Sequence, residues 1–107
     1  NKPVVIFFYS RFCPYCDDME RYVLSDKEVS GLLKNWVVFI KIDTDKNGRL
    51  ARAYGVWSYP TIWLLEPSGQ PIVKVPGYVS KNDFKKMLVF VKGRHYTSMT
   101  LREFLDM

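Results

Sequence analysis

The sequence has few of the residues that small proteins use as covalent or metal staples. It contains two cysteines and one histidine in 107 residues. Two cysteines are too few for the disulfide framework of a small secreted scaffold. With His95 they make three soft donors, whereas a structural zinc site needs four. We therefore expect no metal site and a fold that depends on a hydrophobic core.

Long apolar stretches are missing as well. The longest, Val4–Tyr9, is far shorter than the roughly 20 residues that a membrane-spanning helix needs, so we expect no membrane span. Hydrophobic residues make up 48% of the chain and charged residues 25%, as in an ordinary globular domain. We predict a single domain over residues 1–107, with its core at about 4–92 and a C-terminal tail at 93–107. No signal peptide is visible at Asn1, but a cleaved one would leave no trace.

A concentrated basic patch is also lacking, although the chain is basic overall. Sixteen Lys and Arg against 11 Asp and Glu give a net charge of +5. These cations are spread from Lys2 to Arg102, and binding to a phosphate backbone needs clustered cations. We interpret them as a solvated basic surface and expect no nucleic-acid partner.

Hydrophobic periodicity predicts alternating strands and helices. Strands are predicted at Val4–Tyr9, Trp36–Asp43, Thr61–Leu65 and Ile72–Val75, the first two buried and the last two forming a hairpin. Helices are predicted from Pro14 to about Leu24, within 25–35 (as a short helix or turn), within 47–54, and from Ser80 to Gly93. A final turn or helix begins at Thr100, where Glu103 completes a capping box. The crossover between the first two strands makes them parallel.

The segment Cys13-Pro14-Tyr15-Cys16 carries the strongest chemical signal. It lies where a buried strand ends and a helix begins, so a thiolate there is stabilised by unpaired backbone N–H groups and the helix dipole. One helical turn separates the two sulfurs, which lets the second attack a mixed disulfide formed by the first. We predict Cys13 as the nucleophile and Cys16 as the resolving thiol. Pro14 and Tyr15 bring no charge to the site.

An inert disulfide and a metal site are the alternatives for this pair. Closing a four-residue loop stabilises a fold by roughly 2 kcal/mol, less than the about 3 kcal/mol of a 15-residue loop. The pair would also supply only half of the ligands of a zinc site. Redox exchange is therefore the favoured interpretation.

Ser58-Tyr59-Pro60-Thr61 is the second segment of interest. A proline ahead of a strand is commonly an ordinary trans proline. Here the predicted topology puts it beside the end of the first strand, next to the cysteines. A cis Tyr59–Pro60 bond would expose the Tyr59 backbone to an extended substrate peptide, and Pro60 would keep metal ions from the thiols.

These segments together resemble the thioredoxin-fold thiol–disulfide oxidoreductases. The resemblance runs from Val4 to about Val91. Within this range, three further segments match the family: Val38–Asp43, Leu50–Val56 and Val75–Tyr78. It implies an α/β thioredoxin fold with a central four-stranded mixed sheet flanked by helices, lacking the usual N-terminal strand and helix. The CxYC motif and the "DxD" strand end look most like bacterial extracytoplasmic members, which implies a periplasmic or other extracytoplasmic location, with the cytoplasm as the alternative.

The resemblance also implies a substrate groove, partners and a direction of electron flow. Pro60 would be the cis-proline and Gly77 would lie in the loop beside the cysteines. The groove would receive a partner's disulfide and be bordered by Phe12, Pro14, Tyr15, Trp57, Tyr59 and Tyr78. The partners would be disulfide-bearing proteins and an upstream dithiol reductase, and no cofactor beyond the Cys13–Cys16 disulfide is expected. We expect a monomer that acts as a disulfide reductase; an oxidase of the DsbA type would carry a large helical insertion.

Departures from the family pattern keep other functions open. Thioredoxins carry a buried acid on the first strand, and here that position is Phe7, so Cys16 would lose its proton to water or to a group such as Glu20 or Lys41. The Pro14-Tyr15 dipeptide between the two cysteines is more typical of glutaredoxins. It implies a glutathione-dependent reductase as an alternative function. A non-catalytic thioredoxin-fold chaperone or copper-binding module is the other.

Two further features look functional without carrying a function. Asp43–Gly48 matches the first half of a calcium loop, but its twelfth position, which must be a bidentate acid, is Tyr54. We interpret it as a polar loop. His95 lies beyond the last core helix, and we interpret it as a surface or tail residue.

Overall fold

The computed structural model describes residues 1–107, which fold into four strands and a set of short helices. The strands are β1 (Val4–Tyr9), β2 (Val38–Asp43), β3 (Thr61–Leu65) and β4 (Pro71–Pro76). The α-helices are α1 (Pro14–Met19), α2 (Lys27–Trp36), α3 (Gly48–Ala53), α4 (Lys81–Lys92) and α5 (Leu101–Leu105). A π-helical turn covers Glu20–Leu24 and a 3₁₀ turn covers His95–Thr97. No helix has the length and apolarity needed to cross a bilayer.

The sheet has the mixed topology predicted from the sequence. Its order is β2-β1-β3-β4. β1 and β2 are parallel in the register Val4↔Val38, while β3 is antiparallel to both β1 and β4. As a consequence, β1 and β4 end at the same edge of the sheet at which β3 begins. The loops at that edge hold the residues singled out from the sequence.

The sheet divides the core into two layers. One face packs against α1, α2 and α4 through a large cluster that includes Phe7, Cys16 and Met19. The opposite face has a small cluster around Ile6 and Phe8, covered by α3. Cys16 is therefore part of the main hydrophobic core.

The prediction that the second strand is buried was wrong. β2 begins at Val38 instead of Trp36, and it is an edge strand with one neighbour. Val38 is 47% exposed and Ile40 is 39% exposed. An apolar, β-branched composition indicates a strand, but it does not tell a central strand from an edge strand.

The first helix also differs from the prediction. The α-helix ends at Met19, and the chain continues as a π-helical turn in which Ser25 N–H donates to Glu20 C=O at 3.1 Å. One extra residue in a turn rotates the side chains that follow. Tyr22, placed by periodicity on the apolar face, is consequently exposed, whereas Val23 is buried.

The segment after α4 packs onto the rest of the molecule. The capping box predicted at Thr100 and Glu103 is present and begins α5. Leu101 is buried in the main core cluster. The ring of Phe104 lies 5.4 Å from the ring of Phe90 in α4.

Candidate redox site

The cysteine pair lies at the N-terminus of α1. Cys13 is the N-cap residue, in an extended conformation, and Pro14 occupies the first helical position. Cys13 and Cys16 form a disulfide with their Cα atoms 5.2 Å apart. The Cys13 Sγ accepts a hydrogen bond from Cys16 N–H at 3.2 Å. This contact uses one of the N–H groups that a helix leaves unpaired at its start, so the same position would stabilise a Cys13 thiolate.

The two sulfurs differ in accessibility. Cys13 is half-buried at the edge of the core, while Cys16 is 2% exposed within it. An external disulfide can therefore reach Cys13, whereas Cys16 can react only with the sulfur of Cys13 beside it.

Phe12, which precedes the nucleophile position, has an unusual backbone conformation. Its φ of 53° lies in the left-handed region, which costs a residue other than glycine about 1–2 kcal/mol. Its side chain is 95% exposed. Because the exposed ring makes too few packing contacts to offset this cost, the neighbouring loop must hold the backbone of Phe12 in this conformation.

The loop before β3 meets the cysteines at the same edge of the sheet. Thr61 pairs with Phe8, which puts Pro60 beside the end of β1. The Tyr59–Pro60 peptide bond is cis. Ser58 C=O accepts a hydrogen bond from the Thr61 hydroxyl at 2.7 Å. The Tyr59 N–H and C=O take no part in the backbone hydrogen bonds of the structure.

The loop after β4 completes the site. Gly77 donates its N–H to Pro60 C=O at 2.7 Å and has a φ of 95°. Glycine adopts that conformation without the steric cost of a Cβ atom. Two residues later, Val79 N–H donates to the Sδ of Met19 at 3.2 Å, which ties this loop to α1.

Aromatic side chains dominate the exposed surface of these loops. The exposed ones are Phe12, Tyr15, Trp57, Tyr59 and Tyr78. With Pro14, Pro60 and Gly77, the structure thus brings every substrate-contacting residue expected from the sequence to one edge of the sheet. Exposed aromatic rings provide contact area for a partner at little cost in conformational entropy.

A charged pair lies on the sheet face that carries Cys16. Lys41 is the register partner of Phe7, and its ammonium group forms an ion pair with Glu20. Lys41 also lies over the ring of Tyr9, 5.5 Å from its centroid. Glu20 follows Cys16 by one helical turn, and both members of the pair are partly exposed.

Other polar residues named from the sequence have structural contacts. His95 packs against Phe104, with 4.8 Å between ring centroids. The Asp43 carboxylate accepts a hydrogen bond from Asp45 N–H at 2.9 Å, within the segment that resembles a calcium loop. The structure holds no cluster of three or more metal-ligating acidic, histidine or cysteine side chains.

Sequence reasoning missed the residue that connects this segment to the cysteine loop. Asp45 accepts hydrogen bonds from Arg11 N–H and from the Ser10 hydroxyl. The strand end with two aspartates was the available signal, but it was interpreted as an ordinary polar loop.

A cysteine pair that forms a disulfide at a helix N-terminus, set in this sheet topology, defines a site for thiol–disulfide exchange. A family model described as a thioredoxin-like domain matches residues 1–92. Thioredoxin from Borreliella burgdorferi is 31% identical over 88 residues, which cover 82% of this chain and 72% of that protein. The chain belongs to the thioredoxin-like family and is a thiol–disulfide oxidoreductase.

Solved structures support the same fold. The solution structure of a thioredoxin from Thermus thermophilus aligns with a TM-score of 0.73 and 35% identity, covering 86% of this chain and 76% of that one. A thioredoxin-fold protein from Helicobacter pylori aligns with a TM-score of 0.87 over 98% of this chain and 83% of that one. Its 22% identity makes it a likeness of fold alone.

A longer relative is similar over part of its length. The thiol:disulfide interchange protein DsbD of Vibrio cholerae is 28% identical over 90 residues. These cover 78% of this chain and 15% of that protein.

Proposed function

We propose that the chain is a disulfide reductase in which Cys13 attacks the substrate and Cys16 resolves the intermediate. The observation that carries this assignment is the contrast between the two sulfurs. Cys13 is reachable and accepts a hydrogen bond from the helix N-terminus, whereas Cys16 is buried behind it. A buried thiol reacts efficiently only with the sulfur beside it, so the order of attack follows from the geometry.

The exchange proceeds in two balanced steps. The Cys13 thiolate attacks one sulfur of the substrate disulfide, forms a mixed disulfide and releases the other substrate sulfur as a thiolate. The Cys16 thiolate then attacks the Cys13 sulfur and releases the second substrate thiol. Two electrons pass to the substrate, and the chain ends with the Cys13–Cys16 disulfide. An upstream dithiol protein restores the dithiol by the same chemistry.

The loops around the cysteines provide the substrate groove. Tyr59 has a backbone N–H and C=O available to pair with an extended segment of the partner, as an added strand would. The exposed rings of Tyr15, Trp57 and Tyr78 would contact residues flanking the partner's disulfide. Phe12, Pro14, Pro60 and Gly77 would shape the rest of that groove.

Glu20 is our candidate for the group that accepts the Cys16 proton. The strand beneath Cys16 offers Phe7 and no carboxylate, whereas Glu20 follows Cys16 by one helical turn. Its ion pair with Lys41 orients the carboxylate on the Cys16 side of the sheet. Both members of the ion pair are partly exposed, so the carboxylate can pass the proton on to solvent.

The reductase direction is supported by the short crossover. Between β1 and β2 the chain has only α1, the π-helical turn and α2, with none of the long helical insertion expected of a DsbA-type oxidase. The relatives named thioredoxin agree with this direction.

The remaining parts of the proposal concern the setting of the reaction. We propose a monomer, with residues 1–107 forming one domain, that uses no cofactor beyond its own disulfide. The similarity to DsbD and the CxYC motif favour an extracytoplasmic location. The partners would be disulfide-bearing proteins and an upstream dithiol reductase.

Reduction of insulin with dithiothreitol as electron donor tests the assignment. We expect Cys13→Ser to abolish turnover, and Cys16→Ser to accumulate a mixed disulfide through Cys13. Trapping through Cys16 instead would overturn the assigned roles. The reduction potential, measured against glutathione buffers, should be about −270 mV, whereas a value of about −120 mV would indicate an oxidase.

Two other outcomes would replace the proposal. Turnover that requires glutathione, with deglutathionylation of a mixed disulfide, would indicate a glutaredoxin-like reductase. Negligible turnover with tight binding of copper(I) by both thiols would indicate a carrier.

A further inference from the structure

The turn after β2 is built to present one carboxylate. Asp43 C=O accepts hydrogen bonds from Asn47 N–H at 3.0 Å and from the Asn47 side-chain amide at 2.9 Å. The Asp43 carboxylate accepts from Asp45 N–H at 2.9 Å. These three hydrogen bonds close the turn locally, and the side chain of Asp45 takes no part in closing it.

The same turn is anchored to the end of β1. The backbone N–H and the hydroxyl of Thr44 both donate to Tyr9 C=O, each at 2.9 Å. Thr44 is one of the two buried polar residues of the molecule. Position 45 is therefore fixed relative to the first residues of the cysteine loop.

The Asp45 carboxylate binds the loop that leads to Cys13. It accepts the Arg11 N–H at 2.7 Å through Oδ2, and the Ser10 hydroxyl at 3.2 Å through Oδ1. Hydrogen bonds to a carboxylate are stronger than those between neutral groups. They hold Ser10 and Arg11 directly before Phe12, the residue whose φ of 53° needs external support.

We propose that Asp45 is a positioning residue for thiol–disulfide exchange: its carboxylate holds the Ser10–Phe12 loop so that Cys13 stays within reach of both the helix N-terminus and Cys16. Asp45 acts through Arg11 and Ser10, and it need not contact the substrate. The segment Asp43–Gly48, whose sequence resembles a calcium loop, then acts as a loop clamp: its carboxylates accept hydrogen bonds from N–H and O–H donors.

The clamp has a consequence for the redox equilibrium. A held loop keeps the two thiols at a high effective concentration, which favours the disulfide over the open dithiol. Releasing the loop increases the conformational freedom of the dithiol form more than that of the cross-linked form. Loss of the clamp should therefore make the disulfide easier to reduce.

The test compares Asp45→Ala with Asp45→Asn in the full chain. Asparagine is isosteric, can accept the Arg11 N–H through its oxygen and can bond to Ser10 through its amide. Asp106→Ala is the matched control, because Asp106 is an exposed acid on the last helical turn and its side chain makes no hydrogen bond or ion pair. The measurements are the equilibrium constant with glutathione and the insulin-reduction rate, with circular dichroism to confirm folding.

For Asp45→Ala we expect the equilibrium constant for disulfide formation to fall at least threefold, which corresponds to about 14 mV at 29.6 mV per tenfold. The kcat of insulin reduction should fall with it, while Asp45→Asn and Asp106→Ala stay within about twofold of the parent. An unchanged equilibrium constant in folded Asp45→Ala would overturn the proposal. So would an Asp45→Asn variant as impaired as Asp45→Ala, because the charge and not the hydrogen bonds would then matter.

A variant that fails to fold does not end the test. Ser10→Ala removes the hydroxyl donor alone and leaves the Arg11 contact, so a smaller shift of the same sign is expected. No shift in that variant would contradict the clamp. The equilibrium is measured in either direction of electron flow, so failure of the reductase assignment and failure of the clamp are distinguishable.

Discussion

At the scale of single residues, Cys16 presents a proton-transfer problem that Glu20 is placed to solve. The thiol must lose its proton before its sulfur attacks Cys13, and the core around it is apolar. Positioned general bases accelerate such steps by about 100-fold or more, and a partly exposed carboxylate competing with water should do less. We expect Glu20→Gln to slow the release of the mixed disulfide by roughly tenfold, measured by stopped-flow single-turnover kinetics.

Two variants sharpen this prediction. Glu66→Gln changes an acid at the hairpin, at the opposite end of the sheet, and should leave the release rate unchanged. Lys41→Met breaks the ion pair but keeps the carboxylate, so it should slow release less than Glu20→Gln. A normal release rate in Glu20→Gln would refute the role of the carboxylate, and a larger effect of Lys41→Met would transfer the role to Lys41.

At the scale of secondary-structure elements, α2 and α4 are joined by a pair of charged contacts. Asp26, the N-cap of α2, accepts from Glu28 and Val29 N–H, each at 3.1 Å, and Lys81 lies 3.4 Å away. One turn further, Lys85 donates to Glu28 at 2.7 Å, which raises the pKa of Lys85. The contacts connect the start of one helix to the start of the other.

These contacts predict an acid-dependent loss of stability. The Val29 N–H, and after it Lys81, holds the pKa of Asp26 below its ordinary 3.8. A lowered folded-state pKa contributes stability above about pH 4, and that contribution is lost as the pH falls through the folded value. We expect Asp26→Asn to be less stable than the parent at pH 7, by urea unfolding, and this difference to shrink as the pH falls below about 4. Asp106→Asn should show no such convergence, and a pH-independent difference for Asp26→Asn would contradict the linkage.

Elements also show how far the sequence determines the structure. β1, β3, the hairpin and α4 were predictable because burial imposes local periodicity on their residues, and the cysteine pair was recognisable because its chemistry needs one helical turn. The exposed position of β2 depends on which strands become its neighbours. The contact of Asp45 with Arg11 joins residues 34 positions apart. Local sequence patterns do not encode contacts between residues that are distant along the chain, so only the folded structure shows them.

At the scale of the whole molecule, the question is whether the segment after α4 belongs to the cooperative fold. The family match ends at residue 92. Leu101 is nevertheless only 8% exposed and packs into the main core cluster. In addition, the ammonium group of Lys86 donates a hydrogen bond to Leu105 C=O at 3.3 Å. Buried Leu→Ala changes cost about 2–5 kcal/mol, and a site at the core margin should lie at the low end. We expect Leu101→Ala to lower the unfolding free energy by about 2 kcal/mol and Tm by roughly 8 °C in a single transition.

The alternative makes a different prediction for the same variant. If the segment unfolds separately, Leu101→Ala should leave the main transition in place and only increase hydrogen exchange in α5, because local opening does not draw on the global free energy. Arg102→Ala is the matched control, since its side chain is exposed and makes no ion pair. An unshifted main transition in Leu101→Ala would restrict the cooperative domain to the residues before α5, whereas the expected shift would show that the stability of the redox domain depends on its C-terminal helix.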